Sequence, residues 1–251
     1  REVDASDAPR EVRPLVDALN RLLQRIRSAL QTERRFTADA AHELRTPLAA
    51  IRANAQVLLG ARDQVERENT ARDLLASVDR STRLVEQLLA LARADQPLHD
   101  EKLCDVDIAE VAREQLAAHS GRADKCGITL QGELAPVATR ADPALLSVML
   151  RNLIDNALRY TPPGGRITVM TGANAEGPVL TVEDDGPGIP EPERERVFER
   201  FHRLAGQKAT GSGLGLSIVR RVADVHGARV AIAAGPGDRG TKVSVRFRQA
   251  A

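Results

Sequence analysis

Aromatic residues are almost missing from this chain of 251 residues, which has four Phe, one Tyr and no Trp. Little is left for base stacking or for an aromatic belt at a membrane interface. An excess of charge is lacking too: 36 basic and 35 acidic residues interleave to a net +1, which disfavours a broad basic surface for nucleic acid. Cysteine is scarce. Cys104 and Cys126 form no C-x-x-C and have no His or Cys at metal spacing, so they read as small buried apolar residues in a reducing compartment. No run approaches ~18 uninterrupted apolar residues, the length a membrane-spanning helix needs. Arg1 is neither an initiator Met nor the start of a signal peptide, and the sequence reads as a soluble fragment of something longer. Hydrophobic content of 42% is enough for a core, and the length suggests about two domains.

What is present begins with helix. Residues 1–9 are an acidic lead-in ending at Pro9. From Val12, the residues Leu15, Leu19, Leu22, Ile26 and Ala29 form an a/d seam that needs a partner helix. The phase then changes, because Phe36, Ala40, Leu44 and Leu48 step by successive fours before Ile51, Ala55 and Leu58 resume the heptad. Inside that stutter lies FTADAAHELRTPLAAI, with His42 turned roughly 200° from Ala40 and Leu44 and so toward water. Glu43 adjoins it, Thr46 follows one turn on, and Pro47 interrupts the hydrogen-bond ladder. Taken alone, such a His is a solvated bystander. Gly60 and a charged run mark a turn into a second helix, with Leu74 or Leu75, Val78, Val85, Leu88, Leu91 and Ala92 along one side. The hairpin's apolar face calls for a second copy in a four-helix bundle, or for packing on the sequence that follows.

After Pro97 the pattern becomes that of an α+β layer with a mostly antiparallel sheet. Strands are expected at Leu103–Val106, Ile128–Leu134, Val137–Arg140, Ile167–Thr171, Val179–Glu183, Arg229–Ala233 and Lys242–Arg248. Helices are expected at Ile108–Ala118, from Asp142-Pro143 to about Tyr160, and at Leu216–His226.

Four clusters in this half carry chemistry. Asn152 and Asn156 share a helix face, where amide oxygens suit Mg²⁺ or make local hydrogen bonds. Asp184-Asp185-Gly186-Pro187-Gly188 follows a strand, either as an ordinary turn or as glycines admitting a flat ligand whose exocyclic N–H meets a carboxylate. Val197 to Arg203 concentrates two Phe and two Arg, a phosphate clamp or a small satellite core. Gly211, Gly213 and Gly215 lead into a helix whose bare N–H groups could hold an anion. No Walker lysine is present.

Each cluster alone is weak, but the ordered set of H-E-L-R-T-P, N-x-x-x-N, D-x-G-x-G, F-x-x-F and G-x-G-x-G closely resembles the sensor histidine kinases of two-component systems. The resemblance covers residues 10–250 and implies a dimeric four-helix bundle followed by a two-layer α/β sandwich of the GHKL (Bergerat) ATP-binding fold. It divides the chain into a lead-in with a second HAMP-like helix (1–30), a dimerisation and phosphotransfer hairpin (31–95), a linker (96–102) and a catalytic ATP-binding domain (103–251). On that resemblance His42 is the phosphoacceptor, Glu43 the acid that orients it and takes its proton, and Thr46 the residue that positions water for dephosphorylation. ATP is bound with Mg²⁺ on Asn156, Asn152 shares the nucleotide-facing surface, and Arg159 and Tyr160 are nucleotide contacts. Asp185 reads adenine, Gly186, Gly188 and Ile189 shape the pocket, Arg203 meets phosphate, and Gly211, Gly213, Leu214 and Gly215 form the hinge of the ATP lid. The implied protein is a homodimer that serves a response regulator and no nucleic acid, the cytoplasmic fragment of an inner-membrane protein whose membrane link lies in missing N-terminal segments. The rivals are a clamp ATPase of the Hsp90 or MutL type, which lacks the upstream H-E-x-x-T-P hairpin, and a degenerate scaffold, disfavoured because every box is filled.

Overall fold

The computed structural model describes residues 13–61, 63–94, 103–204, 212–235, 237 and 239–249. They fall into two compact units divided at Ser81 and Thr82, each described by itself.

The first unit is long helix. α1 runs Arg13–Gly60 without a break, carrying Pro47 inside it, and α2 runs Gln64–Ala94 across the division. Asp63 starts α2 by accepting the Glu66 N–H at 2.7 Å. In α1 Ala40 is buried, Phe36, Leu44, Pro47 and Ile51 are half-buried, and Leu48 of the expected stripe is exposed. The expected side of α2 is also corrected. Its buried positions are Thr70, Ser77, Leu84, Ala90, Leu91 and Ala94, with Leu74, Ser81 and Leu88 half-buried among them, while Val78, Val85 and Ala92 are exposed. Small hydroxyls tolerate that seam because they bond back along the helix, Ser77 Oγ to the Asp73 carbonyl at 2.8 Å and Ser81 Oγ to the Ser77 carbonyl at 3.0 Å. Leu15, Leu19, Leu22 and Ile26 stay exposed along α1, as a seam without a partner must.

The second unit is the α+β layer. A five-stranded sheet has the order β2 (Thr129–Leu134), β4 (Arg166–Asn174), β5 (Gly177–Asp184), β7 (Thr241–Arg246), β6 (Arg229–Ala234). Only the β2–β4 pairing is parallel. β1 (Cys104–Asp107) and β3 (Ala138–Ala141) pair separately. Helices α3 (Ile108–Cys126), α4 (Pro143–Tyr160) and α5 (Gly215–Val225) complete the layer.

The register fixes which side chains meet the helices. Ile167, Asp184 and Thr241 form one cross-strand row, Val169, Val182 and Val243 the next, and Thr171, Leu180 and Val245 the third, all buried. The alternate residues face away, and there Lys242 pairs with Glu183 at 3.3 Å. α3 outruns its expected end at Ala118, reaching Cys126 before Gly127 stops it in the left-handed region at φ 64°. Both cysteines are exposed, against expectation. Cys104 takes an outward position at the start of β1, and Cys126 ends α3 at its last turn.

Candidate functional site

In the helical unit the candidate group is His42. It is exposed on α1, beside half-buried Glu43 and exposed Thr46. The Thr46 hydroxyl donates to the His42 carbonyl at 3.4 Å, and α1 stays helical through Pro47.

In the α/β unit, a cleft partly open to solvent lies between α4, the ends of β5 and β7, and the start of α5. α4 is the ruler along it. Asp142 caps the helix by accepting the Ala144 and Leu145 N–H groups, and Pro143 supplies the first turn. From there Leu153, Asn156, Ala157 and Tyr160 come round to the cleft at helical spacing. At the Asn152 level, a Cβ on Gly215 would lie 3.5 Å from the Asn152 Oδ1. At the Tyr160 level, a Cβ on Gly186 would lie 3.0 Å from the Tyr160 carbonyl. Those levels are about 12 Å apart along the helix, so the cleft has two ends.

One end is polar and buried. Asp184 Oδ1 accepts the Gly186 N–H at 2.9 Å and the Thr241 N–H at 3.3 Å. Burial pushes its carboxyl up to about 6, outweighing those two backbone donors. Thr241 can come so near because Gly240, at φ +71°, has no side chain: a Cβ there would fall 1.7 Å from the Asp184 carbonyl oxygen. The other end is the glycine turn before α5. No side chain caps that helix, so the first N–H groups of its opening turn lack a capping acceptor. Arg203 and His202 stand in the wall nearby. The Phe201 N–H donates to the Gly213 carbonyl at 3.0 Å, and Phe201, at φ 61°, is the one non-glycine with positive φ among the described residues.

Asn156, Arg159, Tyr160, Gly188, Ile189 and Arg203 line the cleft, as do Gly213 and Gly215. Several other expected residues do not. Asp185 does not line the cleft, and its neighbour Asp184 does. Leu180 and Val182 point inward, so strand alternation aims Asp184 inward and sends Asp185 out, where it accepts the Arg166 N–H at 2.8 Å. Asn152 is buried behind the wall. Its amide donates to the Val148 carbonyl at 2.8 Å and accepts from the Gln87 amide at 3.2 Å. Gly186 and Leu214 stand behind the wall as well, and Gly211 lies outside the described residues. Asp155, between the two asparagines, turns toward α3 and pairs with Arg122. Sequence reasoning missed Asp184, Thr241 and His202. The Gly240-Thr241 step opening the last strand was the available signal for the second, and parity with Val182 for the first.

A helical segment bearing an exposed His, followed by a cleft-bearing α/β sandwich, is the architecture of a histidine kinase core. Residues 32–97 match the His Kinase A (phospho-acceptor) domain, and residues 141–251 match the histidine kinase-, DNA gyrase B-, and HSP90-like ATPase family. Residues 1–28 match the HAMP domain of PhoQ-like sensor proteins. The chain is 43% identical to sensor protein QseC of Salmonella typhi over 231 residues, 91% of this chain and 51% of that protein. Among solved structures, the mycobacterial sensor histidine kinase MprB is 34% identical with a TM-score of 0.53, over 58% of this chain and 97% of that one. Full-length ShkA in complex with AMPPNP is 28% identical with a TM-score of 0.62, over 87% of this chain and 46% of that one. The chain belongs to the bacterial sensor histidine kinases. It spans about half the length of the curated relatives it matches.

Proposed function

We propose that this chain is the cytoplasmic part of a membrane-anchored sensor histidine kinase that phosphorylates its own His42 from ATP and passes the phosphoryl group to a response-regulator aspartate. The observation that carries the reading is the two-ended cleft, with a buried acceptor at Asp184 and an uncapped glycine turn about 12 Å away. Asp184, rather than Asp185, is assigned the exocyclic amine of adenine. Its Oδ1 is taken by two backbone donors, so Oδ2 is the oxygen offered to a ligand. Gly188 and Ile189 border the base, and Tyr160 and Arg159 flank the nucleotide from α4. Arg203 and the N–H groups at Gly213–Gly215 meet phosphate.

Asn156 is the residue that would hold Mg²⁺. It is in the wall, and no group of three His, Cys, Asp or Glu at metal spacing is found among the described residues. One amide oxygen fits a cation that keeps water and phosphate as its other ligands, and when bound it neutralises phosphate charge. In the transfer, an unprotonated ring nitrogen of His42 attacks the γ-phosphorus and the bond to the β–γ bridging oxygen breaks. ADP leaves, and Glu43 takes the proton from the other nitrogen. Exposure of His42 suits a group that must meet two protein surfaces in turn. Thr46, one turn on, is assigned the water that dephosphorylates the regulator.

We assign residues 1–30 to a lead-in and second HAMP-like helix, 31–95 to dimerisation and phosphotransfer, 96–102 to a linker and 103–251 to catalysis, with a homodimer covering the exposed α1 seam. The phospho-acceptor match upstream favours this over a clamp ATPase. The test is to label the chain from ATP and offer it a panel of candidate regulators. Rapid transfer to one of them is expected; label that never leaves the chain contradicts the proposal.

A further inference from the structure

We propose that Gln87 is a positioning residue for the phosphate end of the cleft, setting the glycine turn before α5 through Ser212 and Asn152 without touching the ligand itself. This rests on reading the cleft as an ATP site. Gln87 stands outside the cleft wall, on the last turns of α2, and residues 82–94 of that helix belong to the α/β unit. Leu91 and Ala94 on those turns are 0% exposed, so apolar burial holds them in place whatever stands at position 87.

One run of hydrogen bonds reaches from α4 through Gln87 to the turn, and its direction is fixed from one end. The Asn152 amide donates to the Val148 carbonyl at 2.8 Å, which only its nitrogen can do, so Oδ1 is the atom turned to Gln87. Gln87 must present Nε2 to that oxygen, at 3.2 Å, which leaves its Oε1 to accept the Ser212 hydroxyl at 2.7 Å. Ser212 Oγ, its proton committed, accepts the Leu214 N–H at 3.3 Å. An amide suits position 87 because it donates at one atom and accepts at the other. The consequence falls on Gly213 and Gly215, which line the cleft on either side of Leu214. Gly213 holds φ 71°, and Gly215 begins α5 where a Cβ would stand 3.5 Å from the Asn152 Oδ1. The turn whose N–H groups are assigned to phosphate is thus tied at Ser212 and backed by Asn152, and Gln87 joins the two. At the adenine end, Asp184 is held instead by the Gly186 and Thr241 N–H groups.

Affinities of the whole chain for a non-hydrolysable ATP analogue and for adenosine, which lacks phosphate, test the proposal side by side. Gln87→Met keeps the length of the side chain and loses both bonds. The analogue should then bind roughly tenfold more weakly, while adenosine stays within about twofold of wild type. Gln87→Glu should do no better, since a carboxylate sets oxygen against the Asn152 Oδ1. Ser212→Ala should weaken the analogue alone, and the double variant should lose no more than Gln87→Met. Glu86→Gln weakens the neighbouring pair of Glu86 with Arg151, 3.2 Å apart between the same two helices, and should leave both affinities unchanged. An unchanged analogue affinity in Gln87→Met, equal losses for both ligands, or losses that multiply in the double variant would overturn the proposal. So would an effect of Glu86→Gln as large as that of Gln87→Met. A wild-type chain that binds neither ligand would instead overturn the ATP-site reading.

Discussion

The two units handle apolar surface in opposite ways. In the helical unit Leu15 is 70% exposed and Leu48 55%, whereas Ile154, Ile167 and Ile218 of the α/β unit are sealed at 0%. The α/β unit completes its own core, and the helices leave theirs for another surface. The functional groups follow the same division. His42 stands in solvent on a helix with a single weak hydroxyl contact nearby, while Asp184 is buried, doubly hydrogen-bonded and pushed up to about 6. Display and enclosure are separate tasks given to separate folds, and the difference implies that each can be damaged alone.

The largest effect is expected from His42→Gln, which removes only the displayed group. Labelling from ATP should vanish while adenosine and ATP-analogue affinities stay within about twofold of wild type, as titration calorimetry would register. A variant that keeps an acid-labile label would place the nucleophile elsewhere.

Asp184→Asn damages only the enclosed side. Asn Oδ1 can still take the Gly186 and Thr241 donors, but its amide then presents N–H to the N–H of adenine, and nucleotide affinity should drop roughly 100-fold. The pH sign can be checked with the same variant. The folded-state pKa of about 6 lies above the ordinary 3.8 of a free Asp, so this group favours folding below about pH 4 and loses that contribution as pH rises to 6. Wild-type adenosine affinity should instead rise as pH rises through about 6, because the ligand needs the carboxylate. Asp184→Asn should abolish that rise and gain up to about 2–3 kcal/mol of relative stability at pH 8. A stability loss would mean the carboxylate is held by more than its two backbone donors.

Gly240→Ala damages the enclosed side through packing. A methyl group 1.7 Å from the Asp184 carbonyl, on a backbone at φ +71°, must move the β5–β7 ends apart. The melting transition that adenosine shifts should lose more than about 2 kcal/mol, with His42 still exposed to chemical modification. Smallest of all, Thr46→Ala should leave labelling near wild type and slow dephosphorylation of the regulator about tenfold. Equal loss of both activities would make Thr46 a structural residue.

Local chemistry was the part of the fold most legible in the sequence. Asp142-Pro143 announced α4 because a cap and a fixed φ act within one turn. The glycine boxes, the Asn156 face and the exposed His42 followed from periodicity and spacing. What escaped depended on partners remote in the chain. The hydroxyls of Thr70, Ser77 and Ser81 hid the true seam of α2, because polarity argued for the surface while their small size admitted them inside. Asp184 and Asp185 are chemically identical; the D-x-G-x-G spacing onto Gly186 and Gly188 and the side on which β5 meets the helices separate them. Thr241 reaches Asp184 across 57 residues through a glycine whose necessity is invisible until the strands pair.

If the proposed function holds, the exposed imidazole of one unit receives a phosphoryl group from ATP enclosed by the other. The most direct measurement is to incubate the chain with Mg²⁺ and ATP labelled at the γ-phosphate, then map the modified residue by mass spectrometry under neutral conditions. The expected result is a single phosphorylated peptide modified at His42, stable to base, lost in acid and suppressed by excess ADP. Label on any other residue, or release of inorganic phosphate with no labelled protein, would contradict it.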